Sequence, residues 1–300
     1  MTLLAFTWSE FAEQVTSGLA DGAVYASLAL ALVLIYRTTR VINFAQGEMA
    51  TFTTFIAWSL MNHGFSFWEA FPLVLLIAFV GGAAIERVIV RPVESSSVLT
   101  IVIVTLGLAL LLNGLMKAIW GDFPRPFTGG FSNHTFTLAG AHISIQYVGM
   151  IGVLVAVAAL LALFFRFTKL GLALRAAALN PHSSRLAGVR VGWMLGLGWG
   201  LAAAVGAIAG MLIAPVQLLD PDMMQTVLLY AFAAAILGGL DSVVGSIVGG
   251  LLLGLAIDLI GRYVHYVGHV LQLPVALALI LALLLLRPSG LFGRVAARRV

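Results

Sequence analysis

Val98–Trp120 reads VLTIVIVTLGLALLLNGLMKAIW, a run in which Lys117 is the only charged residue. The hydrocarbon core of a bilayer is about 30 Å thick and takes about 20 apolar residues of helix to cross. This stretch is therefore long enough to span, and it is too apolar to lie in water. Working outward from it, the same reading finds Val15–Tyr36, Val41–Met61 and Ala70–Val90 before it. After it come Ile145–Phe165, Val191–Ala214, Gln225–Leu240, Val244–Gly261 and Val270–Leu286. Lipid offers the backbone no hydrogen-bonding partner, so spans must be helices or closed barrels, and the ten-residue alternating strands of a barrel are absent. The chain is 61% hydrophobic and 9% charged, where a soluble domain carries about 25% charge. These numbers predict an all-α, polytopic membrane helix bundle of about nine spans, within eight to ten, forming a single domain over residues 1–300.

Three spans are weak. Val41–Met61 opens with polar residues, and Gln225–Leu240 and Val244–Gly261 are short and joined by the turn Gly238-Gly239-Leu240-Asp241. Orientation follows from Lys and Arg, which are retained on the cytoplasmic side. With nine spans, one set of loops holds all sixteen basic residues except Lys117, Arg125 and Arg262. That asymmetry predicts the N-terminus outside and the C-terminus, Arg294–Val300, in the cytoplasm. The first residues carry Glu10 and Glu13 with no basic n-region, so they do not read as a cleaved signal.

Most chemistries are excluded by what is missing. The chain has no Cys and only two Lys, Lys117 and Lys169, neither of which ends a phosphate-binding Gly-x-x-x-x-Gly-Lys-Ser/Thr pattern. No Gly-x-Ser-x-Gly or His-Glu-x-x-His occurs. His265 and His269 stand four apart but lack a third ligand, so no metal site is expected. The basic residues are scattered between apolar runs, which excludes a nucleic-acid surface and suits a lipid bilayer. No catalytic residue and no cofactor is expected.

Glycines four apart recur at Gly18/Gly22, Gly192/Gly196/Gly200, Gly206/Gly210, Gly245/Gly249 and Gly250/Gly254. They let helix backbones approach closely where apolar burial drives nothing. Acidic residues inside spans are the default functional candidates, because a carboxylate at mid-membrane costs about 2.5–3.5 kcal/mol. Asp21 and Glu48 qualify, and Asn43 and Gln46 accompany Glu48. The competing reading of Glu48 and Asn43 is a helix start satisfied by local backbone donors. Two loops are long. Gly121–Ser144 reads as an outer lid or connector. Phe167–Val191 reads as a short helical hairpin in which Asn180 caps a helix begun by Pro181 and ended near Gly188.

These stretches resemble a known family. Gly22-Ala23-Val24-Tyr25-Ala26 through Tyr36, then Val41-Ile42-Asn43-Phe44-Ala45-Gln46-Gly47-Glu48, is similar to the signature of LivH-like permeases of branched-chain amino-acid ABC importers, which usually carry His where this chain has Gln46. Ile85-Glu86-Arg87-Val88 with Arg91-Pro92-Val93, Ala233 through Gly239 with Gly245-Ser246 and Gly249-Gly250, and Arg287-Pro288-Ser289-Gly290-Leu291-Phe292-Gly293 agree in order along almost the whole chain. The resemblance implies a non-enzymatic transport subunit in a bacterial inner membrane. It would be paired with a second permease, two ATP-binding subunits and an extracytoplasmic substrate-binding protein. It also implies that the inside loop, with Gly171, Arg175, Ala176, Asn180, Pro181 and Gly188, docks on the ATPase as a coupling element at residues 167–191. Asn43, Gln46 and Glu48 are the expected translocation-pathway residues. The alternatives are an importer of urea or short amides, and a proton-coupled secondary transporter using Asp21 and Glu48.

Overall fold

The structure is a computed structural model that describes residues 8–39, 41–94, 96–132, 134–138, 140–264, 271–287 and 290–293. The His265/His269 pair, the cytoplasmic tail Arg294–Val300, Arg40, and Pro288 and Ser289 of the last family-like stretch lie outside the described residues. The elements in chain order are α1 (Trp8–Thr39), α2 (Gln46–Asn62), α3 (Phe67–Ile85), α4 (Val98–Trp120), β1 (Thr135–Leu138), β2 (Ala141–Ser144), α5 (Ile145–Phe167), α6 (Lys169–Leu179), α7 (Pro181–Leu186), α8 (Val191–Gln217), α9 (Met223–Gly238), α10 (Val243–Tyr263) and α11 (Gln272–Leu286).

Each of the nine expected spans is a helix, but six are long and apolar enough to cross a membrane: α1, α3 with its extension to Val93, α4, α5, α8 and α10. Six candidate crossings are thus identified among the described residues by length and composition, and the full count of nine is not established. The physical reason is length: at about 1.5 Å per residue, the 17 residues of α2, 16 of α9 and 15 of α11 fall short of the hydrocarbon thickness. The stretch Val41–Met61 is also not helical from its start. Val41 to Ala45 is a buried non-helical link, and α2 begins only at Gln46.

α1 and α8 form the centre. α10 crosses α1, with Gly18 and Gly22 facing Gly254 and Gly250 so closely that a side chain on Gly22 would sit 2.9 Å from the Gly250 carbonyl oxygen. α8 divides its glycines between two partners. Gly196 and Gly200 lie under Glu86 and Phe79 of the α3 side, and Gly206 and Gly210 lie under Gln46 and Thr54 of α2. Gly249 meets Gly238 of α9. The four-residue glycine spacing is therefore spent on helix crossings.

The two ends of the bundle differ. At one, the Gly121–Ser144 loop contains an antiparallel hairpin of β1 and β2, with Thr135 opposite Ser144 and Leu138 opposite Ala141, a small β element that the all-helical reading did not include. Ser9 Oγ donates to the Gly140 carbonyl at 2.8 Å, and the His142 N–H donates to Glu13 at 2.8 Å, fastening the hairpin to the start of α1. Arg125 and Leu219 exchange two backbone hydrogen bonds of 2.9 Å, joining this loop to the end of α8. The other end carries α6, packed beside Leu34 of α1, and α7, which packs on α6 and α8.

Candidate functional site

The link at Val41 to Ala45 decides where the polar signature residues go. Asn43 closes the turn before α2: its Oδ1 accepts the Ala45 N–H at 3.0 Å, and its Nδ2 donates to Gln46 Oε1 at 3.2 Å. Gln46 then donates through Nε2 to the Ala202 carbonyl of α8 at 3.0 Å, in room left by Gly206. Both residues are fully buried. A buried amide without partners costs about 1–3 kcal/mol, so this chain of bonds satisfies the break and pins α2 to the central helix.

Glu48 points elsewhere. Two residues along a helix turn the side chain by about 200°, and Glu48 Oε2 accepts from Asn113 Nδ2 of α4 at 3.3 Å. The Asn113 amide has two hydrogens and three acceptors within reach, since it also lies 2.8 Å from Asp222 Oδ1 and 3.2 Å from the Pro221 carbonyl. Asp222 gathers Lys117 Nζ at 3.0 Å and Gln225 Nε2 at 2.7 Å, and Lys117 lies 3.4 Å from Asp122 as well. Burial works against the Asp222 charge, but the hydrogen bonds from Asn113 and Lys117 outweigh it and hold this carboxyl below its ordinary value. A polar string thus runs from the nearly buried Glu48, between α2, α4 and the start of α9, out to the hairpin end of the bundle.

The structure therefore splits the expected trio. Asn43 and Gln46 belong to a buried seam with α8, whereas Glu48 heads the polar string. Beside that string an apolar cavity of 170 Å³ opens between α2, α3, α4 and α8, with walls that include Met49 and Leu112, the chain neighbours of Glu48 and Asn113.

At the opposite end, Asn180 Oδ1 accepts the Ser183 N–H at 3.0 Å and Pro181 is the first residue of α7. Gly188 leaves the helix at φ +81°, a left-handed conformation that a side chain disfavours. α6 turns Leu174 and Ala177 inward, with Gly171 against Phe164. Arg175 and Ala176 are half-buried on α6, so of the expected coupling residues Asn180, Pro181 and Gly188 are exposed and these two are not. Leu179, Arg185 and Leu186 also stand out in the open, Leu186 at 80% exposure.

Residues 14–287 match the family described as branched-chain amino acid transport system / permease component. The chain belongs to this family. It is 29% identical to the high-affinity branched-chain amino acid transport system permease protein LivH of Escherichia coli K12, over 97% of this chain and 98% of that one. It is 31% identical to the permease protein BraD of Pseudomonas aeruginosa over the same shares, and 30% identical to a probable LivH of Methanocaldococcus jannaschii over 91% of both chains.

In this multi-pass permease, Asn113, Lys117, Asp222 and Gln225 join Glu48 in one polar string, a grouping that reading the sequence missed. A signal was present: Asn113 and Lys117 stand four apart on an otherwise apolar span, which places them on one helix face. What the sequence does not show is which face meets α2 and which meets lipid.

Proposed function

We propose that the permease is the membrane-spanning subunit of an ATP-driven importer of branched-chain, hydrophobic amino acids. The observation that carries this reading is the family match along residues 14–287, with relatives named for branched-chain substrates. Those names do not favour the urea reading. Family membership implies ATP-binding and substrate-binding partners in general; the finer reading is one second permease, two ATP-binding subunits and one extracytoplasmic binding protein. ATP is hydrolysed on the partner subunits. The permease sits in a bacterial inner membrane with its hairpin end and N-terminus outside and α6–α7 in the cytoplasm.

Glu48 and its Asn113 partner lie on the substrate path in this reading, with the neighbouring apolar cavity suited to an aliphatic side chain. Asn43 and Gln46 border the path through the seam they build. Proteoliposomes carrying the full complex should accumulate leucine when ATP is enclosed with the ATP-binding subunits, and should not when the permease alone faces a proton gradient. Uptake by the isolated chain driven by that gradient would make it a secondary transporter. Glu48→Gln keeps an acceptor for Asn113 and removes the charge. Leucine uptake should then fall about tenfold, equivalent to about 1.4 kcal/mol, with the complex still assembled. Unchanged uptake would leave Glu48 as a packing residue only.

The exposed face of α7 is the part suited to receive force from the ATP-binding subunits, because its helix is capped and its exit is fixed. Asn180→Ala should weaken α7 by about 0.5–2 kcal/mol. Substrate-stimulated ATP hydrolysis should drop while assembly persists. A cysteine replacing the exposed Ser183 should crosslink to the ATP-binding subunit; its failure to do so in an active complex would remove α7 from coupling.

A further inference from the structure

A groove of 560 Å³ lies between α3 and α8 at the α6–α7 end, apart from the polar string. α3 does not stop at Ile85. Residues 86–90 continue it as one wide, five-residue turn, a distortion that collects at functional positions. This turn sends Glu86 inward to pack over Gly196 of α8 and leaves Arg87 and Arg91 on the groove wall. Glu86 Oε1 is 3.9 Å from Arg91 Nε. The Arg91 guanidinium rests over Gly192, in space that any side chain there would take. Trp193 stands on the rim at 69% exposure, the position favoured by Trp at a membrane interface.

We propose that this groove holds one anionic phospholipid, with its phosphate on Arg87 and Arg91 and an acyl chain along Phe79, Val80, Ala83 and Leu197. Three features select that occupant. Both walls belong to helices long and apolar enough to span the membrane, so the groove opens to lipid. From Phe79 to Arg91 is twelve residues, about 18 Å of helix, close to the roughly 15 Å depth of one leaflet. A soluble partner's side chain does not reach that far into hydrocarbon. Two guanidiniums and one carboxylate leave a net charge of +1 at the groove mouth, which one phosphodiester with an uncharged headgroup neutralises. A zwitterionic headgroup brings its own ammonium and leaves the excess positive charge in place. Basic pockets between spanning helices at the cytoplasmic side recognise lipid headgroups on this principle.

The test is native mass spectrometry of the purified full-length permease with defined lipids added back. Phosphatidylglycerol should be retained as one tightly held copy, about tenfold better than phosphatidylethanolamine of the same chains. Arg91→Gln risks leaving Glu86 buried without its partner, so the primary variant is Arg87→Gln, which keeps the ion pair and should remove most of the preference. Ala84→Trp, which fills the apolar wall, should lower retention of both lipids. Equal retention of the two lipids by the wild type would overturn the proposal, as would a preference unaffected by Arg87→Gln. Displacement of phosphatidylglycerol by chain-free glycerophosphoglycerol at equal concentration would also overturn it, since the site would then read phosphate without an acyl chain.

Discussion

α1 and α8 are the least apolar of the six long helices and the most buried, whereas α4 and α5 are the most apolar and the most exposed. Mean hydropathy is 1.9 for both central helices against 2.5 for α4 and 2.8 for α5, yet 89% and 83% of the central stretches are buried against 22% of each outer one. In water the order would be reversed. In lipid, leucine gains nothing by moving inward, and what helix contact gains is close packing and satisfied polar groups. Glycine, alanine and the amides of Asn43 and Gln46 therefore sit at the centre, and Leu110, 77% exposed, sits outside.

The sharpest way to break this contrast is to exchange residue sizes between the two regions. Gly22→Leu places new atoms against the backbone of Gly250 and Leu251, neither of which is a flexible tip that can swing aside. Overpacking typically costs about 1–3 kcal/mol and occasionally more. Because the contact is backbone on backbone at the central crossing, the expected result is the upper end of that range, read as loss of folded protein in detergent. Leu110→Ala should cost under about 0.5 kcal/mol, although a leucine removed from a water-soluble core costs about 2–5. A large loss at Leu110 in the assembled importer alone would mark that face of α4 as covered by another subunit.

The contrast also explains how much was legible beforehand. Apolar runs place every helix except α6 and α7, because lipid demands them whatever they pack against. The start of α7 was legible too, because capping by Asn180 and Pro181 is local. The break at Val41 to Ala45 was legible only in part: polar residues at the opening marked the span as weak, but the bonds from Asn43 to Gln46 to Ala202 are what place the turn of the backbone there. Asn113 showed only its shared face with Lys117, since its partners Glu48 and Asp222 lie 65 and 109 residues away.

A smaller effect sharpens the role of that break. Gln46→Leu matches the apolar volume but leaves Asn43 Nδ2 with only the weak Met49 sulfur acceptor at 3.5 Å and the link without its tie to α8. The expected loss is about 1–3 kcal/mol, the range for an orphaned buried polar group. Gln46→His keeps a donor near Ala202 and should lose less. Chemical unfolding of the two variants decides it. If leucine and histidine behave alike, the seam is held by the Gly206 and Gly210 crossing and not by the amide.

The smallest effect concerns the place where an outer helix is tied to the rest by charge. Lys117 of α4 meets Asp222 at 3.0 Å, but their side chains are 35% and 45% exposed. Exposed pairs are screened and contribute about 0.2–1 kcal/mol. Asp222→Asn keeps an oxygen for Asn113 and deletes only the charge, so the expected fall in stability at pH 7 and low salt lies within that range. The pH dependence has a definite sign. The unfolded carboxyl titrates near 3.8 and the folded one lower. The stabilisation is therefore fully present above the unfolded value and is lost as pH falls through the folded one. Thermal unfolding of wild type and Asp222→Asn should differ by a constant amount from pH 5 to 8, with the gap closing below about pH 4. It should also shrink in 1 M salt, where the screening length falls to about 3 Å. A gap that changes between pH 6 and 8 would mean that a group other than Asp222 controls this end of the bundle.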